Sequence, residues 1–547
     1  MSMNKVLASV ASLMLVLSPL NVYAEDSVYV YATDANGNNY SSIESAWSAA
    51  QNGTSITLTC DWELPSRLVL DEGKEATLEL AGHKITRNLI SAFSNGEVIM
   101  MKKKSKLHLN GKVAANTEFS YLSPRAEYTH EESIISGGLI CGGYSTNGAG
   151  GIHMKEGSSL ELDGVSIAGN QSEKSWGSDG HGGAIYMDGD DDTLTVKNAD
   201  ICNNIAEVDG GAIYADDDRA SITLENAYVH MNYAKEDGGA IYLCDEDSSV
   251  TMDGSKIYAN VASDNGGGIY SNDDGTAITM KNGSTISENN CTTNGGAIYF
   301  NTSYFHINTD GKSNGIVNNA ACQFGGAIYV CQSSGQGNVS SIDGVKFERN
   351  LSWLKGGAIY IDQENCTIKN CEFTYNDGGN YGGAIYNEND GTIIENCTIK
   401  ENNAYKAGGG VYQYQKEDIT LKGTNIIKDN IRGEDQSSDD LMLEKTGSYT
   451  AYVKGEISSD SSVGIRTGDT STTQIGKDIT SDCSQYFFLN DSGEYHISYR
   501  DGKLYKDSDT GSVFGNGNML VACGVIGVIA VVGIAFLVVN KKKTINN

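Results

Sequence analysis

Much of the chain repeats one short pattern of apolar and polar positions. Apolar pairs separated by a single polar residue recur as Leu194/Val196, Ile222/Leu224, Val250/Met252 and Ile278/Met280. A single large apolar residue follows in each unit: Ile201, Val229, Ile257, Ile286, Ile316, Phe347, Phe373 and Ile399. Each stands three residues before an asparagine, namely Asn204, Asn232, Asn260, Asn289, Asn319, Asn350, Asn376 and Asn402. Six residues after each of these asparagines comes a double glycine. Alternation over four to six residues predicts strands, and no part of the repeat region shows a sustained 3.6-residue period.

The double glycine opens the motif Gly-Gly-Ala-Ile-Tyr at Gly182, Gly210, Gly238, Gly295, Gly325, Gly356 and Gly382, with Gly-Gly-Gly variants at Gly266 and Gly408. A degenerate copy ends Gly150-Gly151-Ile152-His153, and successive copies average about 28 residues apart. Insertions follow the tyrosine and never fall between asparagine and Gly-Gly, so that segment reads as a fixed corner. Three short strands per unit of this length predict an all-β chain, a right-handed parallel β-helix with three strands per coil, in which each coil pairs with those above and below.

That geometry assigns roles. Equivalent residues of successive coils lie about 4.8 Å apart, so the eight asparagines should stack as a structural amide ladder. Glycine suits a sharp corner because it tolerates positive φ. With isoleucine pointing inward, Tyr186, Tyr214, Tyr242, Tyr270, Tyr299, Tyr329, Tyr360, Tyr386 and Tyr412 are expected to face outward beside a strip of small residues. Such a file could hold a chain-like ligand on its ring faces; the alternative is that the rings only stabilise one another.

The flanks read differently. Residues 1–24 resemble a signal peptide, and 25–136 a cap with irregular first coils, including a short helix at 43–50. The regular repeats occupy 137–430, closing coils 431–512, and a linker 513–518. Residues 519–539 carry no charge and are long enough to span a bilayer; 540–547 would be the cytoplasmic tail after a lysine cluster. This predicts a single-pass plasma-membrane protein with an extracellular ectodomain, the alternative being a sortase-processed, cell-wall-anchored one.

Composition narrows the partners. A net charge of −31 disfavours nucleic acid. The 65 glycines accompany only 3 prolines, which excludes collagen and a proline-rich stalk. Acidic turns follow several tyrosines, and Asp190, Asp192, Asp216, Asp218, Asp245, Asp247, Asp273 and Asp274 are candidate Ca²⁺ ligands, although aspartate is also an ordinary turn former. No other cofactor is expected. Cys371 and Cys397 each precede a ladder asparagine by five residues, which places them within disulfide reach or leaves them as two small buried thiols. No residue is picked out as catalytic: exposed aspartates are too numerous for one pair to stand out, and the eight histidines show no metal or triad spacing. A polysaccharide lyase or glycoside hydrolase is the alternative to a non-catalytic surface protein.

Gly-Gly-Ala-Ile combined with Phe-x-x-Asn, seen as Phe347-Glu348-Arg349-Asn350 and Phe373-Thr374-Tyr375-Asn376, resembles the repeat pair of chlamydial polymorphic membrane proteins. The resemblance covers about residues 137–430. It implies a secreted, surface-displayed passenger with adhesive roles. The departure is at the C-terminus, where those proteins carry an outer-membrane β-barrel and this chain has one apolar segment followed by lysines, as expected of a Gram-positive-like cell. The expectation is an adhesin binding a glycan or an extracellular protein, anchored to the membrane.

Overall fold

The computed structural model describes residues 29–508, apart from 112–118, 120, 122–136, 176–179, 273, 312, 332–338, 415–417, 435, 447–448, 469–472 and 491–494. The segments expected to be signal peptide (1–24), linker (513–518), membrane helix (519–539) and tail (540–547) lie outside the described residues, as does Asp273. Among the described residues, no helix is long and apolar enough to cross a membrane.

The architecture is an all-β parallel solenoid of about 13 turns. One coil shows the plan: Ile213–Asp216, Ser221–Glu225 and Tyr228–His230 follow one another around the turn. Each pairs in parallel with its counterpart one repeat later, Ile213 with Ile241, Ile222 with Val250 and Val229 with Ile257. Insertions are taken up in the turns, so like residues stay in register and Ile185, Ile213, Ile241, Ile269, Ile298, Ile328, Ile359 and Ile385 form one file in the core. Burying such a side chain contributes roughly 1.5–3 kcal/mol, and the file repeats that contribution at every coil.

The structure corrects the count of three strands per coil. The supposed corner between asparagine and Gly-Gly contains a fourth, two-residue strand, such as Tyr233–Ala234, and these stack into an eight-stranded sheet of their own. Two residues cannot show alternation, which is why the pattern hides them; only the pairing of neighbouring coils makes them strands.

Both ends of the described solenoid are covered. The helix Ile43–Ala50 starts at Ser42, whose side chain accepts the Ser45 N–H, and buries Ala46, Trp47 and Ala50. At the other end Leu441–Leu443, Ser462–Thr467 and Phe487–Leu489 continue the parallel stack. The hairpin Tyr495–Arg500/Lys503–Ser508 then pairs antiparallel to Thr473–Gly476, so part of the expected closing coils is a terminal antiparallel sheet. Covering an end in this way removes an exposed strand edge.

Candidate functional site

The asparagine corner sets the direction of every exposed side chain near it. The residue before each ladder asparagine is left-handed, with φ from +54° to +59° at Asn203, Met231, Ala259, Glu288, Asn318, Arg349, Tyr375 and Glu401. Such a conformation is strained for residues with a Cβ. The asparagine holds it: Asn232 Nδ2 donates to His230 O at 3.0 Å, to Ile201 O at 2.9 Å and to Asn260 Oδ1 at 3.0 Å. One amide thus ties its own turn to the coils on either side. The file is longer than the eight expected members. Asn170 donates to Asn204 Oδ1, Asn402 to Asn430 Oδ1, and Asn430 to Asp440 Oδ1 at 2.9 Å, with Asn490 donating to Asp440 beyond that. Ile167 and Ile427 stand three residues before Asn170 and Asn430, a signal obscured because no double glycine follows six residues later.

The corner glycines differ from one another. The first of each pair has φ near +65°, as at Gly210 and Gly238. The second has no room for a Cβ: one on Gly211 would lie 2.2 Å from Gly239 O and 2.6 Å from the Tyr233 carbonyl carbon. The small residues expected to line an open strip are therefore enclosed, and Ala212, Ala240, Ala297, Ala327, Ala358 and Ala384 have no exposed surface.

The tyrosines of the file stack on one another. From Tyr214 through Tyr242, Tyr270, Tyr299, Tyr329, Tyr360 and Tyr386 to Tyr412 the rings stack face to face, with centroids 4.8–5.1 Å apart. Tyr186 meets Tyr214 edge-on and stacks on His153 instead. Tyr214, Tyr270, Tyr360, Tyr386 and Tyr412 are buried, and the others are half-buried. Ring faces occupied by neighbouring rings are not available to a ligand, and Phe324 and Tyr381 pack beside the stack as well.

The acidic turns carry much of their own compensation. Arg219 reaches Asp190 at 3.2 Å, Asp191 at 2.7 Å and Asp218 at 3.4 Å. Asp190, Asp218 and Asp274 also accept backbone N–H groups of neighbouring coils. Asp247 sits in a left-handed turn. Asp192 is buried, accepts the Ser158 N–H at 2.7 Å, and is pushed up to about 7 by burial and then by Asp188 and Asp217. Donor atoms of Asp216, Cys244 and Asp245 lie within 4.8 Å of one another. Burial pushes the Cys244 thiol up to about 12, so its proton competes with any cation there. Lys103 and Lys155 border the open depression formed with Glu156, Asp188, Asp190 and Asp217.

A second file of carboxylates lies in the residue before Gly-Gly. Asp209 Oδ1 accepts the Asp237 N–H at 2.9 Å, and Asp237 Oδ1 accepts both N–H groups offered by Asn265, at 2.8 and 3.1 Å. Burial, only partly offset by these donors, pushes Asp209 up to about 7 and Asp237 up to about 6.

Exposed aromatic surface is concentrated elsewhere than expected. Leu351, Trp353, Leu354, Tyr375 and Tyr405 are all exposed within three successive coils. Arg349 lies over the Tyr375 ring at 5.2 Å, and Lys406 over Tyr381 at 5.2 Å. Lys355 sits 4.2 Å from the Tyr386 ring centre, at the side of the tyrosine stack. Leu351, Trp353, Leu354 and Tyr405 follow their ladder asparagines, in or just after the short fourth strand whose alignment depends on the coil pairing, whereas Tyr375 precedes its asparagine.

A family model, the Chlamydia polymorphic membrane protein repeat, matches residues 198–216. This chain carries that repeat. The matched stretch holds the ladder residue Asn204, the corner Gly210-Gly211 and Tyr214, which is the turn geometry just described. Together with the parallel solenoid, it fits the passenger β-helix of such a protein and implies an outer-surface protein. No curated protein and no solved structure matches the chain.

Of the two readings left open for Cys371 and Cys397, the structure has the second: both are free, buried thiols. Cys371 Sγ donates to Lys369 O at 3.1 Å, and Cys397 Sγ to Glu395 O at 3.3 Å. Each thiol takes the place that Ser255 fills in its own coil, where the hydroxyl donates to Asp253 O at 3.0 Å.

Proposed function

We propose that this protein is a surface-displayed adhesin, a passenger-type β-helix that binds a glycan or extracellular protein through its side and performs no catalysis. Single-pass anchoring in the plasma membrane by residues 519–539, with residues 25–512 outside, is part of the same reading. The observation that carries it is the cluster of exposed apolar and aromatic residues from Leu351 to Tyr405. Exposed apolar and aromatic side chains gathered on three successive coils, with cations beside them on a strongly acidic protein, are surface of the kind that meets a partner.

The test is adhesion of cells displaying the full chain to matrix-coated and cell-coated surfaces, comparing the parent with Trp353→Ala and Tyr405→Ala. Loss of adhesion in the variants at equal surface expression supports the reading; full adhesion without these rings removes its basis. EDTA in the same assay decides whether the acidic turns act through Ca²⁺, since binding that needs the cation is lost on chelation. Release of reducing ends or unsaturated sugars from polysaccharides by the same cells would replace this reading with an enzyme.

A further inference from the structure

The segment between ladder asparagine and Gly-Gly has constant length, so its residues form vertical files along the solenoid. The third residue after the asparagine runs Glu207, Lys235, Ser263, Thr292, Cys322, Trp353, Gly379, Tyr405; the fourth runs Val208, Glu236, Asp264, Thr293, Gln323, Leu354, Asn380, Lys406; the fifth runs Asp209, Asp237, Asn265, Asn294, Phe324, Lys355, Tyr381, Ala407. Bridges between Leu351 and Asp377, Lys355 and Tyr381, Asp377 and Asn403, and Tyr381 and Ala407 fix this register at the far end. The three files change character along the axis. They are acidic in the early coils, with Glu207, Asp209, Glu236, Asp237 and Asp264, and then, from Thr292 to Ala407, contain no carboxylate and two lysines.

Within that stretch, Trp353 and Tyr405 are 65 % and 59 % exposed, and the residue between them in the file is Gly379. Gly379 has φ +58°, and a Cβ there would lie 2.1 Å from Trp353 O, so the backbone itself keeps the gap free of a side chain. The two ring-bearing backbones are two coils apart, about 9.6 Å. Asn380 stands next to Gly379 and Gln323 one coil before Leu354; neither side-chain amide makes a hydrogen bond among the described residues. Lys406 touches the ring of Tyr381 and has no carboxylate partner among them. The acids near the patch are engaged: Glu348 with Lys346 and Arg349, Asp377 with the Gly379 N–H and Asn403, and Glu388 with Tyr360 and Lys355. Glu401 faces Tyr375 on the far side of the asparagine ladder.

We propose that Trp353, Gly379 and Tyr405 form a platform for an anionic glycan, one sugar face on each ring, with Asn380 and Gln323 meeting hydroxyls and Lys406 meeting a carboxylate or sulfate. The chemistry follows from the parts. Sugar C–H faces pack on aromatic rings, side-chain amides match hydroxyls in both directions, and a cation with no carboxylate partner among the described residues selects acidic chains. This deepens the adhesive reading and rests on it.

Carboxymethylcellulose and hydroxyethylcellulose share a flat β-linked backbone and differ in charge. Titrated by calorimetry into the detergent-solubilised full chain, the charged polymer is expected to bind saturably and the neutral one at least tenfold more weakly. Trp353→Ala and Tyr405→Ala should each raise Kd about tenfold, and Lys406→Gln should abolish the preference for charge, whereas Phe488→Ala, an exposed ring on the closing turns, should change nothing. Melting curves confirm that each variant is folded. Absence of saturable binding by the parent, binding that ignores both rings, or equal affinity for the two polymers overturns the proposal. Ring-dependent cell adhesion without polymer binding overturns the glycan assignment and leaves the adhesin reading standing.

Discussion

Asn232 and Asn260 are joined twice: the single Oδ1 of Asn260 accepts both the backbone N–H and the side-chain Nδ2 of Asn232, each at 3.0 Å. Asn260 in turn gives its own Nδ2 to Val229 O, Tyr258 O and Asn289 Oδ1. Every rung therefore serves as donor and acceptor at once, in a site where water has no access. An unmade bond there carries the full desolvation cost of a buried polar group.

Asn260→Ala should accordingly destabilise the solenoid by about 2–4 kcal/mol, from orphaned groups on both neighbouring coils and a released left-handed turn at Ala259. Asn260→Asp should cost at least as much at neutral pH, because a carboxylate cannot donate to Val229 O and Tyr258 O. Urea unfolding followed by circular dichroism measures both; a change within about 0.5 kcal/mol would mean that the ladder is not a source of stability.

Asp209 and Asp237 give stability a pH dependence of unusual sign for carboxylates. Burial raises them to about 7 and about 6 in the folded chain, above the value of 3.8 for a free aspartate. Their contribution is thus fully present below about pH 4 and is lost as pH rises through 6 and 7. Glu236, Asp264 and Asp237 itself press on this file from the acidic side, and His181 approaches Asp209 at 3.5 Å. Asp209→Asn and Asp237→Asn should stabilise the protein at pH 8 by on the order of 1–3 kcal/mol and change little at pH 4. An amide there continues the file that Asn265 and Asn294 already form. Paired melts at the two pH values check the difference.

The tyrosine stack makes a separate prediction. Tyr270 lies between Tyr242 and Tyr299, each at 4.8 Å, with nearly parallel rings. Tyr270→Phe keeps both ring faces and should alter stability by less than about 0.5 kcal/mol, whereas Tyr270→Ala should cost about 3–5 kcal/mol through the cavity it leaves. Equal effects of the two substitutions in denaturant titrations would show that the hydroxyl, not the stack, matters.

Different parts of this architecture were legible to different degrees. The apolar files were readable because Ile213 and Ile241 recur with the same spacing and neighbours, and a 28-residue offset between them admits one register. The helix at Ile43–Ala50 was readable from Ser41-Ser42 and the run that follows. Two readings of the tyrosines stayed open in the sequence because alternation says only that Tyr242 points away from Ile241; it does not say whether solvent or another segment waits there. The fourth strand at Tyr233–Ala234 carries no periodic signal, and Arg219 acquires its three aspartates only when successive turns are stacked.

By itself, the sequence determined the repeat, the parallel register and the asparagine ladder, since a motif of fixed internal spacing that recurs once per coil forces equivalent residues into files whatever surrounds them. Only the tertiary structure decided which files are covered. The chain after each asparagine packs against the Gly-Gly corner, where the second glycine leaves no room for a side chain: a Cβ on Gly211 would lie 2.2 Å from Gly239 O. Tyr386 is enclosed, to 2 % exposure, and Trp353 stays outside at 65 %. Burial depends on what lies across a surface, and pairs of residues distant along the chain decide that.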